Sequence, residues 1–222
     1  MPGPGACALP RHFTIHNAVD TIAVRDLVHS EGSLALKRLY CQPGRVIFGY
    51  IGRLSREKGV DVLFDAFSLL SVRYAGICLL VVGDGPEKQA LEVLCRDEEW
   101  GNRVFFTGKL TWQQAMQHLA IMDVVVVPSR FEGFGLSAVE AMAASKPVIA
   151  AKAGGLSEIM THGYDGLLFE NSNSRELASM MEEVFLDPAK REKLSWHAVK
   201  RASDFGVMPF EQKIRNLYTT EA

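Results

Sequence analysis

A chain of 222 residues with 48% hydrophobic content can bury a sizeable core, and we expect one main domain. The formal net charge of −2 and the lack of extended basic runs argue against a nucleic-acid-binding protein. The four cysteines form no C-x-x-C pair, and no apolar run approaches the roughly 18 residues that a membrane-spanning helix needs. We therefore expect a cytoplasmic protein, or one at a membrane surface, with free thiols.

The amino-terminal part of the chain carries the weakest pattern. Residues 1–13 are rich in proline and glycine and predict an irregular leader or a linker remnant, so the predicted domain covers residues 14–222. A turn is expected at residues 17–20, and the segment 21–40 is compatible with a helix.

From residue 45 onward, short apolar runs alternate with segments of helical period. The strand candidates are Val46–Ile51, Ile77–Val82, 103–107, Val124–Val127, 147–151 and 166–169. Short apolar strands separated by helices predict a parallel sheet covered on both faces. The expected fold class is therefore α/β: a single Rossmann-like, doubly wound parallel sheet of about six strands.

Three further helices are predicted after the last strand. Ser174 is predicted to cap the first of them, and the other two are predicted to begin at Asp187-Pro188 and at Met208-Pro209. The last helix carries an apolar stripe that includes Phe210 and Ile214. This stripe has to pack somewhere, either on the domain's own sheet or on a missing partner domain.

The stretch 129–142, SRFEGFGLSAVEAM, carries the strongest functional pattern. It follows a buried strand with a glycine-rich turn and a helix that opens near Gly135. A helix start of this kind is an anion site, and Glu132 and Glu140 lie on either side of it, so that each can accept hydrogen bonds from sugar hydroxyls. The alternative is a core helix with one solvated glutamate and one glutamate in the turn.

Other loops at strand ends extend this pattern, because ligands of open parallel sheets bind at the carboxyl ends of the strands. Arg53 and Lys58 follow the first strand and suit a diphosphate, although an ordinary solvated loop has the same composition. The backbone at residues 107–110 can meet a nucleobase edge or form a simple turn. A second glycine-rich turn at residues 154–155 is weak evidence by itself. The six histidines are dispersed, and we assign no metal ligands.

Four motifs in this order resemble the C-terminal, donor-binding domain of the retaining GT-B glycosyltransferases of family four. They are residues 52–59 (GRLSREKG), 82–86 (VGDGP), 104–108 (VFFTG) and 132–140, in which seven residues separate two acids. The resemblance runs from about residue 15 to the C-terminus. It implies one half of a GT-B fold and a hexosyltransferase-like activity that needs no cofactor or divalent metal.

The resemblance implies a binding site for the diphosphate of a nucleotide-sugar. Arg53 and Lys58 would hold the diphosphate and stabilise the leaving group, so they count as catalytic as well as donor-binding residues. Gly135 and Leu136 would donate backbone N–H groups to it, and Gly52 belongs to the same donor-binding set.

The resemblance also assigns the remaining contacts of the donor. Glu132 would bind the hydroxyls of the transferred sugar and is the third catalytic candidate, while Glu140 would bind the ribose. The loop at Lys109 and Leu110 would meet the base, which is left open among uracil, guanine and adenine.

This chain departs from the pattern of the resembled family in three respects. Ala18 replaces the usual glycine of an early turn, and Ser157 replaces a proline. The N-terminal acceptor-binding domain has no counterpart before residue 13, so we expect that domain or a partner subunit to complete the enzyme and this chain alone to be inactive. The alternatives are a non-catalytic nucleotide-sugar-binding module and a GT-B relative with epimerase-type or phosphorylase chemistry.

Overall fold

A computed structural model describes residues 14–29, 33–96 and 98–220 of the chain. The predicted leader, residues 1–13, lies outside the described residues. Ten α-helices and six strands are present in the described ranges.

The strands confirm the predicted positions to within about one residue at each end. They are β1 (Val46–Ile51), β2 (Ile77–Val82), β3 (Val104–Gly108), β4 (Val124–Val127), β5 (Val148–Ala151) and β6 (Leu167–Phe169). The helices are α1 (Thr21–Val28), α2 (Ser33–Tyr40), α3 (Val60–Ser71), α4 (Lys88–Arg96), α5 (Trp112–Ile121), α6 (Leu136–Ala143), α7 (Leu156–Ile159), α8 (Ser174–Leu186), α9 (Pro188–Ala202) and α10 (Val207–Thr220).

All six strands pair in parallel in one sheet, in the order β3-β2-β1-β4-β5-β6. This order is that of the doubly wound, Rossmann-like fold, and it confirms the predicted fold class. From β1 the chain winds outward to β3 and then returns to β4, on the other side of β1. The carboxyl ends of β1 and β4 therefore meet at the topological switch point, where such sheets open a crevice.

Both faces of the sheet are covered, as the all-apolar strands predict. Every residue of β2, β4 and β5 is buried. Helices α3 and α8 pack on each other, whereas α1, α2, α5, α6 and α9 form a second connected group. Right-handed crossovers place the two groups on opposite faces, because the chain progresses along the sheet in opposite directions on either side of β1.

Several helix boundaries differ from the predicted ones. The segment 21–40 is not one helix, since α1 ends at Val28 and α2 begins at Ser33, with residues 30–32 outside the described ranges. Helix α8 is capped by Asn173, whose side chain accepts a hydrogen bond from the Glu176 N–H, so Ser174 is its first residue and not its cap. Amide and hydroxyl side chains cap helices about equally well, so composition did not separate the two.

The C-terminal helix α10 does not bury its stripe against the sheet. It packs mainly on the short 3₁₀ helix Ser203–Phe205. Phe210 and Ile214 stay partly exposed, and Tyr218 is largely exposed. Of the two alternatives for the stripe, packing on the domain's own sheet does not describe α10.

Candidate functional site

The loop after β1 is docked onto the loop after β4. Gly59 has a φ of +62°, and a Cβ there would lie 2.1 Å from the carbonyl oxygen of Pro128. The backbone N–H of Arg130 donates to the carbonyl of Glu57 at 2.8 Å. The Arg130 guanidinium also forms a two-pronged ion pair with Asp61, at 2.6 and 2.7 Å. Only glycine allows this approach at position 59, and the contact holds Lys58 beside the second loop.

Lys58 and Glu132 are joined directly. The Lys58 ammonium donates to Glu132 Oε2 at 2.8 Å, and the buried Ser129 hydroxyl donates to the same oxygen at 3.1 Å. Only 13% of the Glu132 side chain is exposed. This charge-assisted pair fixes a cation and a sugar-binding candidate next to each other at the switch point.

The amino end of α6 is open. Its N-cap is Gly135, which has a φ of +105° and no side chain to cap the helix. A Cβ on Gly135 would lie 2.8 Å from Leu156 Cδ2, and a larger residue would also be strained at this positive φ. The first N–H groups of the helix, beginning with that of Leu136, have no partner inside the helix and carry the positive end of its dipole.

The second glycine-rich turn supports the Glu132 loop. The Gly155 N–H donates to the Glu132 carbonyl at 3.1 Å. A Cβ on Gly154 would lie 2.2 Å from that carbonyl oxygen, and one on Gly155 would lie 2.6 Å from the carbonyl oxygen of Gly133. The two loops touch through their backbones, which explains the glycines at 154 and 155.

Glu140 lies on α6 and is hydrogen-bonded to a tryptophan of α5. The indole Nε1 of Trp112 donates to Glu140 Oε1 at 2.8 Å. Burial raises the pKa of the Glu140 carboxyl above its ordinary value, and the Trp112 hydrogen bond offsets part of that rise. Glu140 is therefore a desolvated carboxylate with one fixed donor.

A cavity of about 420 Å³, which we call the first cavity, lies between the β1 loop, the β4 loop and the start of α6. It brings together six predicted site residues: Gly52, Lys58, Glu132, Gly135, Leu136 and Glu140. Four other polar residues of its wall were not predicted as site residues: Asn17, Tyr50, Ser129 and Ser137. Ser129 and Ser137 lie inside the stretch 129–142, and their closeness in sequence to Glu132 and Gly135 could have identified them as site residues.

The remaining predicted residues line an adjacent second cavity of about 390 Å³. Its wall includes Arg53, Lys109 and Leu110, and it shares Ile51 and Gly52 with the first cavity. Arg53 and Lys58, expected to act side by side, thus line different cavities.

Tyr50 supports the wall between the two cavities. Its hydroxyl donates to the Arg53 carbonyl at 2.7 Å, and its ring is buried. Burial raises the pKa of this phenol, and the neighbouring Glu132 raises it further, so Tyr50 is a neutral donor. The sequence shows Tyr50 as one more apolar strand residue, which gave no reason to select it.

Two absences concern only the described part of the chain. No group of three or more His, Cys, Asp and Glu side chains there is arranged to hold a metal ion. None of the helices in those ranges is both long enough and apolar enough to cross a bilayer.

Comparisons with known proteins match this geometry. The family model described as "Glycosyl transferases group 1" matches residues 39–201. An uncharacterised glycosyltransferase of Methanocaldococcus jannaschii is 31% identical over 82% of this chain and 50% of its own length. The D-inositol 3-phosphate glycosyltransferase of Pseudarthrobacter chlorophenolicus is 35% identical over 74% of this chain and 40% of its own length.

Solved structures give the same result. The crystal structure of HepE from Anabaena in complex with UDP-glucose has a TM-score of 0.81 and 30% identity, over 93% of this chain and 57% of that one. The C-terminal domain of a group 1 glycosyl transferase from Francisella tularensis has a TM-score of 0.76 and 26% identity, over 85% of this chain and 99% of that domain. The chain spans half or less of the length of these curated relatives. The protein belongs to the glycosyl transferases group 1 family and has the fold of one half of a GT-B enzyme.

Proposed function

We propose that this chain is the donor-binding half of a retaining glycosyltransferase. It would bind a nucleoside-diphosphate-sugar at the switch point of the sheet and present the sugar to an acceptor. The acceptor site would be supplied by an N-terminal domain or a partner subunit, since the matched relatives are about twice as long as the aligned region.

The observation that carries the proposal is the composition of the first cavity. The uncapped amino end of α6 at Gly135 opens beside Lys58, and the carboxylates of Glu132 and Glu140 line the same wall. A helix start with a nearby ammonium suits a diphosphate, and carboxylates suit the hydroxyls of the sugars that flank it.

These groups also suggest how the chain would assist transfer. When the bond between the sugar and the diphosphate breaks, negative charge develops on the departing nucleoside diphosphate. Lys58 and the N–H groups at the start of α6 are held in place before the reaction, so they would stabilise that charge without reorganising. Glu132 would hold the transferred sugar close to Lys58, its ion-pair partner.

The second cavity is the proposed place for the base. It shares Ile51 and Gly52 with the first cavity, and it offers backbone and side-chain groups of Lys109 and Leu110. Arg53 lines this cavity and would reach the nucleotide from the base side.

Calorimetric titration with UDP-, GDP- and ADP-sugars tests the proposal. Binding of at least one donor is expected, and Lys58→Ala should weaken it by about 10- to 100-fold, because one charged hydrogen bond contributes ~1.5–3 kcal/mol. Lys190→Ala is the matched control. Lys190 is also in an ion pair, and its side chain is 28% exposed against 29% for Lys58, but it lies on α9 away from both cavities.

The absence of heat with all three donors would contradict the proposal, and so would equal losses in the two lysine variants. We also propose that donor binding needs no divalent cation. The same titration in EDTA tests this, and a loss of binding there would contradict it.

A further inference from the structure

Trp112 is placed by a rigid helix start. It is the first residue of α5, and Thr111 and Gln114 form a capping box around it. The Thr111 hydroxyl accepts the Gln114 N–H at 3.3 Å, and the Gln114 side chain accepts the Thr111 N–H at 3.0 Å. The box fixes the direction in which the helix leaves Leu110. The indole then spans from α5 to Glu140 on α6, which links the loop of the second cavity to the wall of the first.

Glu140 accepts one hydrogen bond from a side chain in the described residues, and that bond comes from Trp112. It uses Oε1, so Oε2 remains for a ligand in the first cavity. A carboxylate can rotate about its last torsion, and the indole N–H restricts this rotation. Because its rotation is restricted, the Glu140 carboxylate is already oriented to accept a hydrogen bond from a hydroxyl at a defined position.

We propose that Trp112 is a positioning residue that aims the Glu140 carboxylate at the ribose of the donor, so that the site selects ribonucleoside over 2′-deoxyribonucleoside diphosphates. This inference rests on the proposed function. A ribose presents a 2′-hydroxyl that donates to the carboxylate, whereas a 2′-deoxyribose leaves a desolvated carboxylate short of a donor. A buried acceptor that is left without a donor costs more free energy than one ordinary hydrogen bond gains. The deoxyribonucleotide should therefore bind distinctly more weakly than the ribonucleotide.

The test compares ligands with and without the 2′-hydroxyl on the intact chain. UDP, GDP and ADP are titrated by calorimetry beside dUDP, dGDP and dADP, with wild type and Trp112→Phe. Phenylalanine keeps an aromatic ring and removes the N–H. For the base that binds, wild type should prefer the ribonucleotide by about 10-fold or more, since ~1.4 kcal/mol corresponds to a factor of ten.

In Trp112→Phe the preference should fall to about 3-fold or less through weaker ribonucleotide binding, while the deoxyribonucleotide Kd changes less than about 2-fold. Glu140→Gln should reduce the preference as well. Trp196→Phe, at another partly exposed tryptophan, should leave it unchanged.

A purely structural Trp112 would weaken both ligands equally in the phenylalanine variant, and that result would overturn the inference while leaving the proposed function standing. An unchanged preference in Trp112→Phe would also overturn it. If wild type bound none of the six nucleotides, the proposed function would fail and this inference with it.

Discussion

The two cavities share Gly52, but their charged groups are held very differently. In the first cavity, Lys58 is bonded to Glu132, which also accepts from Ser129. Arg53 and Lys109 in the second cavity form no ion pair within the described ranges, and both side chains are exposed. The first cavity is therefore organised before a ligand arrives, whereas the second depends on the ligand and on backbone groups.

The largest expected effect comes from the backbone that supports the first cavity. Gly154→Ala places a Cβ 2.2 Å from the Glu132 carbonyl oxygen and forces alanine to a φ of +47°. We expect a loss of about 2–4 kcal/mol in the free energy of unfolding, measured by denaturant titration, together with loss of donor binding.

Gly133→Ala is the control for that experiment. A Cβ at Gly133 meets no atom within 4 Å, and its φ is not in the left-handed region. It should stay within about 0.5 kcal/mol of wild type. Equal destabilisation by both variants would show that close backbone packing does not hold the Glu132 loop.

The next effect separates the two cations. Lys58→Ala should weaken nucleoside diphosphate binding by about 10- to 100-fold, because it removes a prearranged charged donor. Arg53→Ala should weaken it less than about 5-fold, because an exposed, unpaired charge is screened by solvent. Calorimetry on the two variants measures both losses of affinity. A larger loss of affinity in Arg53→Ala than in Lys58→Ala would contradict our comparison of the two cavities.

Glu140→Gln should weaken binding yet stabilise the unliganded chain by ~0.5–2 kcal/mol, since a neutral amide avoids the desolvation of a buried carboxylate. The pKa of Glu140 is higher in the folded chain than in the unfolded chain, so the ionised carboxylate destabilises the fold. This destabilisation is complete above the folded-state pKa and disappears as the pH falls below the unfolded-state pKa.

Thermal unfolding of both proteins from neutral to acidic pH checks the sign of this effect. The advantage of the glutamine variant should be largest at neutral pH and shrink on acidification. An advantage that grows toward acid pH would contradict the assignment.

The smallest effect concerns the wall between the cavities. Tyr50→Phe removes a hydroxyl that donates to the Arg53 carbonyl at 2.7 Å, at an expected cost of ~0.5–1.5 kcal/mol in the free energy of unfolding. Donor affinity should fall less than about 5-fold. Denaturant titration and calorimetry measure the two quantities, and an affinity loss as large as that of Lys58→Ala would show that the Tyr50 hydroxyl contacts the donor directly.

The fold was predictable because the strands of a parallel sheet that is buried on both faces are short and almost entirely apolar. The residues of β1, β2 and β4 show this pattern clearly. Lys58 and Glu132, which line the first cavity, were predicted from motifs at strand ends. Tyr50 and Trp112 were not predicted, because their contacts depend on where the side chain points: the Tyr50 phenol donates to the carbonyl of Arg53 in the loop that follows its own strand, and the Trp112 indole crosses to Glu140 on another helix. The division of Arg53 and Lys58 between two cavities depends on loop conformation, which composition does not specify.

The most direct test of the central claim is an NMR titration of ¹⁵N-labelled chain with UDP, GDP and ADP, following backbone amides. Our account predicts that the ligand that binds shifts the amides of Gly52, Gly135 and Leu136. The amides of Gly44 and Gly76, which precede β1 and β2 at the opposite edge of the sheet, should stay unchanged. Shifts confined to that opposite edge, or no shift with any of the three nucleotides, would contradict the account.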